Sequence, residues 1–299
     1  MAADREVRPR ELDVVTALLE SARQAARSFQ LPFGARSWRG RLGNWGGTGA
    51  GSSVDFQDHR PYAPGDDPRY IDWLAYARSE HYVMKLYREE VTPAIDLVLD
   101  GSSSMAYDEL KRKRSLEIFY FALESAGLEG SSIHPWFLDG GGAASLDPGR
   151  MRSGDDPFDR AAPFRVDLPL LESLTYRPGS LRVLVTDCLF PGAPDGFVRK
   201  LASEKGRGVV FAPYCAAESS PDWSGYLELR DCESEMRRVE RFDSERVLQY
   251  QASYRRHFQL WESACRRYGV AFSQLPAAAT FLEALHRHAL PAGAVQPSS

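Results

Sequence analysis

Along residues 12–29, Leu12, Val15, Leu18, Leu19, Ala22 and Ala26 recur at helical spacing with Glu and Arg between them, which predicts an amphipathic helix with one face on a core. Beyond Thr92 the rhythm changes. Short apolar runs at 95–99, 133–138, 181–186 and 209–213 alternate with helical patterns at 109–127, 167–174 and 195–205. A charged hairpin at 226–242, a long helix at 244–268, a strand at 270–275 and a helix at 280–288 complete the series. Runs of four to six apolar residues read as strands buried on both faces, and their alternation with helices predicts an α/β fold: a mostly parallel central sheet covered on both sides.

Between these regions the pattern is less regular. Residues 34–53 are rich in Gly, Arg and Trp and read as an irregular segment with short strands. Residues 54–91 hold a dense polar and aromatic stretch with a turn signal at Pro64-Gly65-Asp66-Asp67-Pro68 and alternation at 82–87 that suits a strand. The expected organisation is an N-terminal amphipathic helix in 1–33, a small β and irregular subdomain in 34–92, an α/β domain in 93–290 and a disordered tail in 291–299, whose residues are small and polar.

Composition narrows the classes. A chain of 299 residues with 43% hydrophobic content can bury a large core. A formal charge of -4 supplies no field to gather nucleic acid or anionic lipid. The basic run Lys111, Arg112, Lys113 and Arg114 opens a helix with an inner face of Leu116, Phe119, Tyr120 and Leu123, so it reads as a solvated helix face. Cys188, Cys215, Cys232 and Cys265 are scattered without a CxxC pair, which fits reduced thiols in a cytoplasm rather than a disulfide framework or zinc site. No apolar stretch is long enough to span a bilayer and the N-terminus carries no signal-peptide pattern, so no membrane partner is expected. His134, His257, His286 and His288 lack ligand spacing.

The candidate chemistry lies where the run 95–99 meets Asp100, Gly101, Ser102, Ser103 and Ser104. Ligands of open α/β sheets bind at the carboxyl ends of the strands, and the D-x-S-x-S pattern of Asp100, Ser102 and Ser104 can converge one carboxylate and two hydroxyls there. Such a set suits a hard cation of the Mg²⁺ kind, although the same pattern can be a strand-to-helix turn with a Ser cap. The run 181–186 also ends in acid, at Asp187. If the sheet reverses direction between these two strands, Asp100 and Asp187 share one crevice.

Asp100, Ser102 and Ser104 followed by Thr186-Asp187 resemble the metal-ion-dependent adhesion site of a von Willebrand factor A (vWA) domain. Upstream, DFQDHRPYAPGDDPRYIDWLAYAR at 55–78 and KLYREE at 85–90 are similar to the signature of domain-of-unknown-function family fifty-eight, and the hairpin ending in Arg241-Phe242 and the helix with Tyr254, Arg255 and Trp261 resemble its later part. The resemblance extends over about 42–288 and implies a vWA-like, Rossmann-type sheet. It also implies metal ligation by Asp100, Ser102, Ser104 and Asp187. The Thr that completes such sites aligns with Val166, and Cys188 stands where a Gly often follows the second acid. Mg²⁺, or Mn²⁺ or Ca²⁺, is therefore expected to be held weakly or completed by a partner, with Asp155, Asp156 or Asp167 as substitute ligands from the loop. The interleaved charges and aromatics Asp66, Asp67, Arg69, Asp72, Trp73 and Arg78 read first as a structural ion-pair network, and second as a recognition surface.

Function follows in the same terms. The resemblance implies a non-enzymatic protein–protein interaction module working with a MoxR-type AAA+ ATPase in chaperone-like maturation of other proteins. A Mg²⁺-dependent phosphotransferase or hydrolase using Asp100 as nucleophile is the enzymatic alternative. It would need a second acid two residues on, where Ser102 stands, and the chain has no P-loop, G-x-S-x-G elbow or HExxH helix. A purely structural scaffold is the third reading.

Overall fold

The run at 95–99 becomes the middle of a six-stranded sheet in a computed structural model that describes residues 9–33, 38–41, 54–90, 94–140, 142–160, 164–234 and 236–298. Ala94–Asp100 pairs in parallel with Ser132–Asp139 on one side and Leu181–Val185 on the other. Arg207–Tyr214 and then Ala271–Pro276 extend the second side, also in parallel. Gly142–Ser145 folds back antiparallel against Ser132–Asp139 and makes the far edge. The chain thus leaves the central strand to one side and later crosses to the other. The switch falls between Ala94–Asp100 and Leu181–Val185, the place where an open α/β sheet forms its crevice.

Alternation along the strands divides the core. Val98, Leu184, Val210 and Ala212 pack in one buried cluster with Leu168 and Leu171, with Phe197, Val198 and Leu201, and with Phe258, Trp261, Ala264 and Cys265. These come from the helices Leu168–Ser173, Asp195–Leu201 and Ser244–Tyr268. Their strand neighbours Leu97, Leu99, Val183, Val185, Val209 and Phe211, also buried, point to the opposite face. The helix Glu109–Leu128 packs on this sheet and buries Leu116, Phe119, Tyr120 and Leu123.

Two expectations change here. The basic run at the start of Glu109–Leu128 is only half solvated: Arg112 and Lys113 reach the surface, whereas Lys111 and Arg114 are 1% and 2% exposed. Arg114 turns inward because Glu117 lies 3.2 Å away, Ala279 offers its carbonyl and the Phe281 ring lies 5.2 Å beneath the guanidinium. The tail at 291–299 is ordered through Ser298 rather than disordered. Ala294 and Val295 are buried, and Gln296–Pro297 pairs antiparallel with Phe29–Gln30, so small residues there serve close packing.

The helix Pro9–Ser28 buries Leu18, Leu19, Ala22, Ala25 and Ala26 and packs along Glu109–Leu128. It belongs with residues 94–299 to one compact unit, and Phe33–Pro93 forms a second. In the second unit Val83–Glu90 is the middle of a three-stranded antiparallel sheet flanked by Trp38–Arg41 and Val54–Pro61. Of the segment 34–53, only residues 38–41 are among those described. Arg60 forms a two-pronged pair with Asp66 at 2.8 and 2.6 Å. Asp72 caps the helix Trp73–Ser79 through the amides of Leu74 and Ala75 and holds His59 at 2.8 Å. Asp67 caps the short turn Pro68–Tyr70 through the Arg69 amide at 3.0 Å, while the Arg69 and Trp73 side chains remain exposed, so the acids of this stretch are structural and its other polar and aromatic groups face solvent.

Candidate functional site at the carboxyl edge of the sheet

Asp100 closes the central strand and turns back onto its own loop. Its Oδ1 accepts the Ser102 amide at 2.8 Å, an Asx turn that fixes the D-x-S-x-S segment. Gly101 between them donates its amide to the Leu138 carbonyl at 3.0 Å. A Cβ at that position would lie 2.3 Å from the same carbonyl oxygen and 2.3 Å from the Phe137 ring, so only glycine lets the chain pass. The turn leads into the single-turn helix Ser103–Ala106 with the Ser102 and Ser104 hydroxyls 3.1 Å apart. The two hydroxyls converge as the spacing predicts.

The neighbouring strand delivers the second acid. Thr186 continues Leu181–Val185 by donating its amide to Phe211, and its hydroxyl donates to Asp100 Oδ2 at 2.5 Å. Asp187 follows and faces a cation from a third element. Lys111, in the first turn of Glu109–Leu128, brings Nζ to 2.8 Å from Asp187 Oδ2 and 2.5 Å from Glu218 Oε1. Asp187 Oδ1 accepts the Leu189 amide at 3.0 Å, and Glu218 Oε2 accepts the Cys215 amide at 2.8 Å. Each oxygen of both expected acids therefore already receives a donor. A cation in the first turn of a helix is opposed by the helix dipole, so Lys111 is held there by its two carboxylates.

Burial governs the protonation of the group. Burial first, and the Asp187 charge second, push Asp100 up to about 6 against the opposing donors Thr186 and Ser102. Burial also disfavours a charged Asp187, but the Lys111 ammonium outweighs it and keeps Asp187 below the usual carboxylate range. In return, Asp187 and then Glu218 overcome the desolvation of Lys111 and hold its ammonium above the ordinary lysine value. The lysine is charged and Asp187 with it, while Asp100 takes up a proton below about pH 6, well above the ordinary aspartate range.

The rim comes from two loops. Ser103 donates its amide to the Phe164 carbonyl at 3.0 Å, and its Oγ accepts the Phe164 amide at 3.2 Å. Beside this clamp, Arg165 pairs with Glu233 of the hairpin turn at 3.1 Å. Burial chiefly, opposed by Arg165 and abetted by Asp187, pushes Glu233 up to about 7. Val166, at the place the resemblance gives to a ligating Thr, is buried in the apolar cluster with Leu168 and Cys188. Cys188 adopts a left-handed backbone with φ of 58°, a conformation that suits the glycine it replaces. Its carbonyl accepts from His257 Nε2 at 2.7 Å. The possible substitute ligands are engaged elsewhere: Asp155 with Arg150 at 2.8 Å, Asp156 with Arg112 at 2.6 Å, and Asp167 as the cap of Leu168–Ser173.

A dication was the expected occupant, and Mg²⁺ asks for a nearly complete octahedron of oxygens. Ser102 and Ser104 supply two hydroxyls, Val166 none, the Asp187 carboxylate is already paired with an ammonium, and both Asp100 oxygens already accept from Ser102 and Thr186. With Lys111 in place these residues do not fit a resident dication. Among the described residues no group of three or more His, Cys, Asp or Glu is placed to hold a metal.

Sequence reading paired Asp100 with Asp187 but missed the three side chains that complete the group: Thr186 as donor, Lys111 and Glu218. A signal for Lys111 existed. Lys111, Ser115, Ile118 and Ala122 fall on one helical stripe, all of it buried, and a charge on a buried stripe needs a partner. Glu218 carries no such signal, because its helix Ala216–Ser219 is a single turn.

The sequence match to known families is local. Residues 58–124 match the family described as "Protein of unknown function DUF58", a narrower span than 42–288 that includes Asp100, Ser102, Ser104 and Lys111 but not Asp187. No curated protein matches the chain. Among solved structures, the conserved hypothetical protein BatB from Bacteroides thetaiotaomicron shares 12% identity, covering 58% of this chain and 99% of its own, at a TM-score of 0.31. An aerotolerance-related membrane protein from Bacteroides fragilis NCTC 9343, carrying multiple mutations to serines, shares 14% with the same coverage and a TM-score of 0.30. No described helix of the present chain is long and apolar enough to cross a membrane.

Proposed function

We propose that this protein is a non-enzymatic protein–protein interaction module that engages its partner through the rim of the crevice between Ala94–Asp100 and Leu181–Val185. The observation that carries this reading is a closed polar floor bordered by exposed apolar side chains. Asp100 and Asp187 are buried and bonded at every oxygen, while Tyr107, Leu110 and Leu189, on the segments that leave the crevice, are exposed. Exposed aromatic and aliphatic groups around a polar centre suit a protein partner. A phosphotransferase would instead need an Asp100 carboxylate open to attack a phosphorus atom, with an acid at the position Ser102 holds. The vWA-like character of the sheet and the cytoplasmic placement belong to the same proposal, in which Asp100, Ser102, Ser104 and Asp187 form the polar floor beneath the recognition rim and not a set of metal ligands.

The partner proposed from the family resemblance is a MoxR-type AAA+ ATPase, with the protein acting beside it in chaperone-like maturation of other proteins. Purified protein and ATPase mixed with and without nucleotide and Mg²⁺, and examined by sedimentation, test it. Association that Tyr107→Ala combined with Leu189→Ser abolishes is the expected result. Failure to associate under all four conditions overturns the partner, and turnover of an aryl phosphate that Asp100→Asn abolishes overturns the non-enzymatic reading.

A further inference from the structure

The strongest unexplained feature is the fully buried Lys111 ammonium at the point where the two strand ends meet. A lysine out of water is costly unless paired, and this one bridges the segments that follow two neighbouring strands, Asp187 after Leu181–Val185 and Glu218 after Arg207–Tyr214. Its charge lies against the carboxylate that a dication would otherwise neutralise. We infer that the crevice carries its own cation: the Lys111 ammonium, held between Asp187 and Glu218, takes the charge-balancing place of a divalent metal, so the strand ends stay organised without one.

Three observations on different elements converge on this assignment. Val166 offers no oxygen and lies in the core. Asp187 is bonded by Lys111 on one oxygen and by the Leu189 amide on the other. The lysine itself is 1% exposed and leans on Asp187 and Glu218 together, not on solvent. An ammonium presents three N–H donors and no directional demand on an octahedron, so it can serve a site that lacks the third hydroxyl. Recognition at the rim is then independent of divalent cations. This inference concerns the charge of the floor and does not rest on the identity of any partner.

The test is metal rescue. Lys111→Met keeps the volume and removes the charge, which leaves Asp187 and Glu218 facing each other uncompensated. Its melting temperature in metal-free buffer falls on the order of 10 °C below wild type, and millimolar Mn²⁺ or Mg²⁺ restores at least half of that loss. Wild type shows no metal-dependent shift. A Lys111→Met protein whose melting temperature ignores both cations overturns the inference, because a purely structural ion pair would behave in that way. Should the variant fail to fold, Mn²⁺ binding to wild type by electron paramagnetic resonance decides alone. No stoichiometric binding supports the assignment, and one tightly bound Mn²⁺ that Ser104→Ala releases contradicts it.

Discussion

The strand Ala94–Asp100 carries a buried acid at each end, and the two are treated in opposite ways. Near its amino end Asp96 is held by the Arg177 guanidinium at 2.8 Å, the Arg177 amide at 2.9 Å and the Ser180 hydroxyl at 2.7 Å. The same arginine also donates to the Ile95 carbonyl, so one cation welds the strand to the loop before Leu181–Val185. At the carboxyl end Asp100 receives only neutral donors, Ser102 and Thr186, and lies beside a second carboxylate whose cation is shared with a third. One end is a closed charge pair that builds the fold. The other holds more acid than its lysine neutralises, and that excess is what marks it as the site.

Breaking the amino-end pair has the largest expected effect on stability. Arg177→Ala strands a buried carboxylate and costs about 3–5 kcal/mol in chemical denaturation. A loss below 1 kcal/mol would remove the contrast between the two ends. Gly101→Ala comes next, at roughly 2–3 kcal/mol, since the added methyl meets a backbone oxygen and an aromatic ring that cannot both withdraw. Asp100→Asn, by contrast, changes stability at pH 5 by less than about 1 kcal/mol, because burial has raised this carboxyl to about 6 and it is already largely uncharged there. A loss as great as that of Arg177→Ala would show that the two acids are equivalent.

Another buried acid, away from both ends, gives a pH dependence of definite sign. Burial, opposed by Arg112, raises Asp156 from 3.8 to about 6. In this interval the folded state binds more protons than the unfolded one, so stability falls as pH rises. The contribution of Asp156 is present in full below 3.8 and gone above about 6, on the order of 3 kcal/mol in all. Denaturation midpoints across this interval should fall more steeply in wild type than in Asp156→Asn, and equal slopes would refute the assignment. The smallest stability effect belongs to the rim: Tyr107→Ala stays within about 0.5 kcal/mol of wild type while weakening partner association.

What could be read from the sequence follows the same division. The alternation of apolar runs and helical stripes marks the parallel strands and their covering helices, because strands buried on both faces leave uninterrupted apolar segments. Asp100 and Asp187 were legible as a pair once the sheet was taken to reverse between their strands. The short edge strand Gly142–Ser145 was not, since four small residues carry no periodic pattern. The ordered tail was equally hidden, because Ala294 and Val295 are buried by a fold-wide closure that local composition does not show. Lys111 looked solvated because it stands in a basic run. Only the tertiary arrangement, which brings Asp187 and Glu218 to its amine, turns it inward.

The central claim is that the Lys111 ammonium takes the charge-balancing place of a divalent metal beside Asp187. A crystal of the protein soaked in Mn²⁺ and measured at the manganese absorption edge tests it most directly. The account predicts no anomalous density at the Ser102 and Ser104 hydroxyls, with Lys111 Nζ still bonded to Asp187. A strong manganese peak at those hydroxyls, with Lys111 turned away from Asp187, would contradict it.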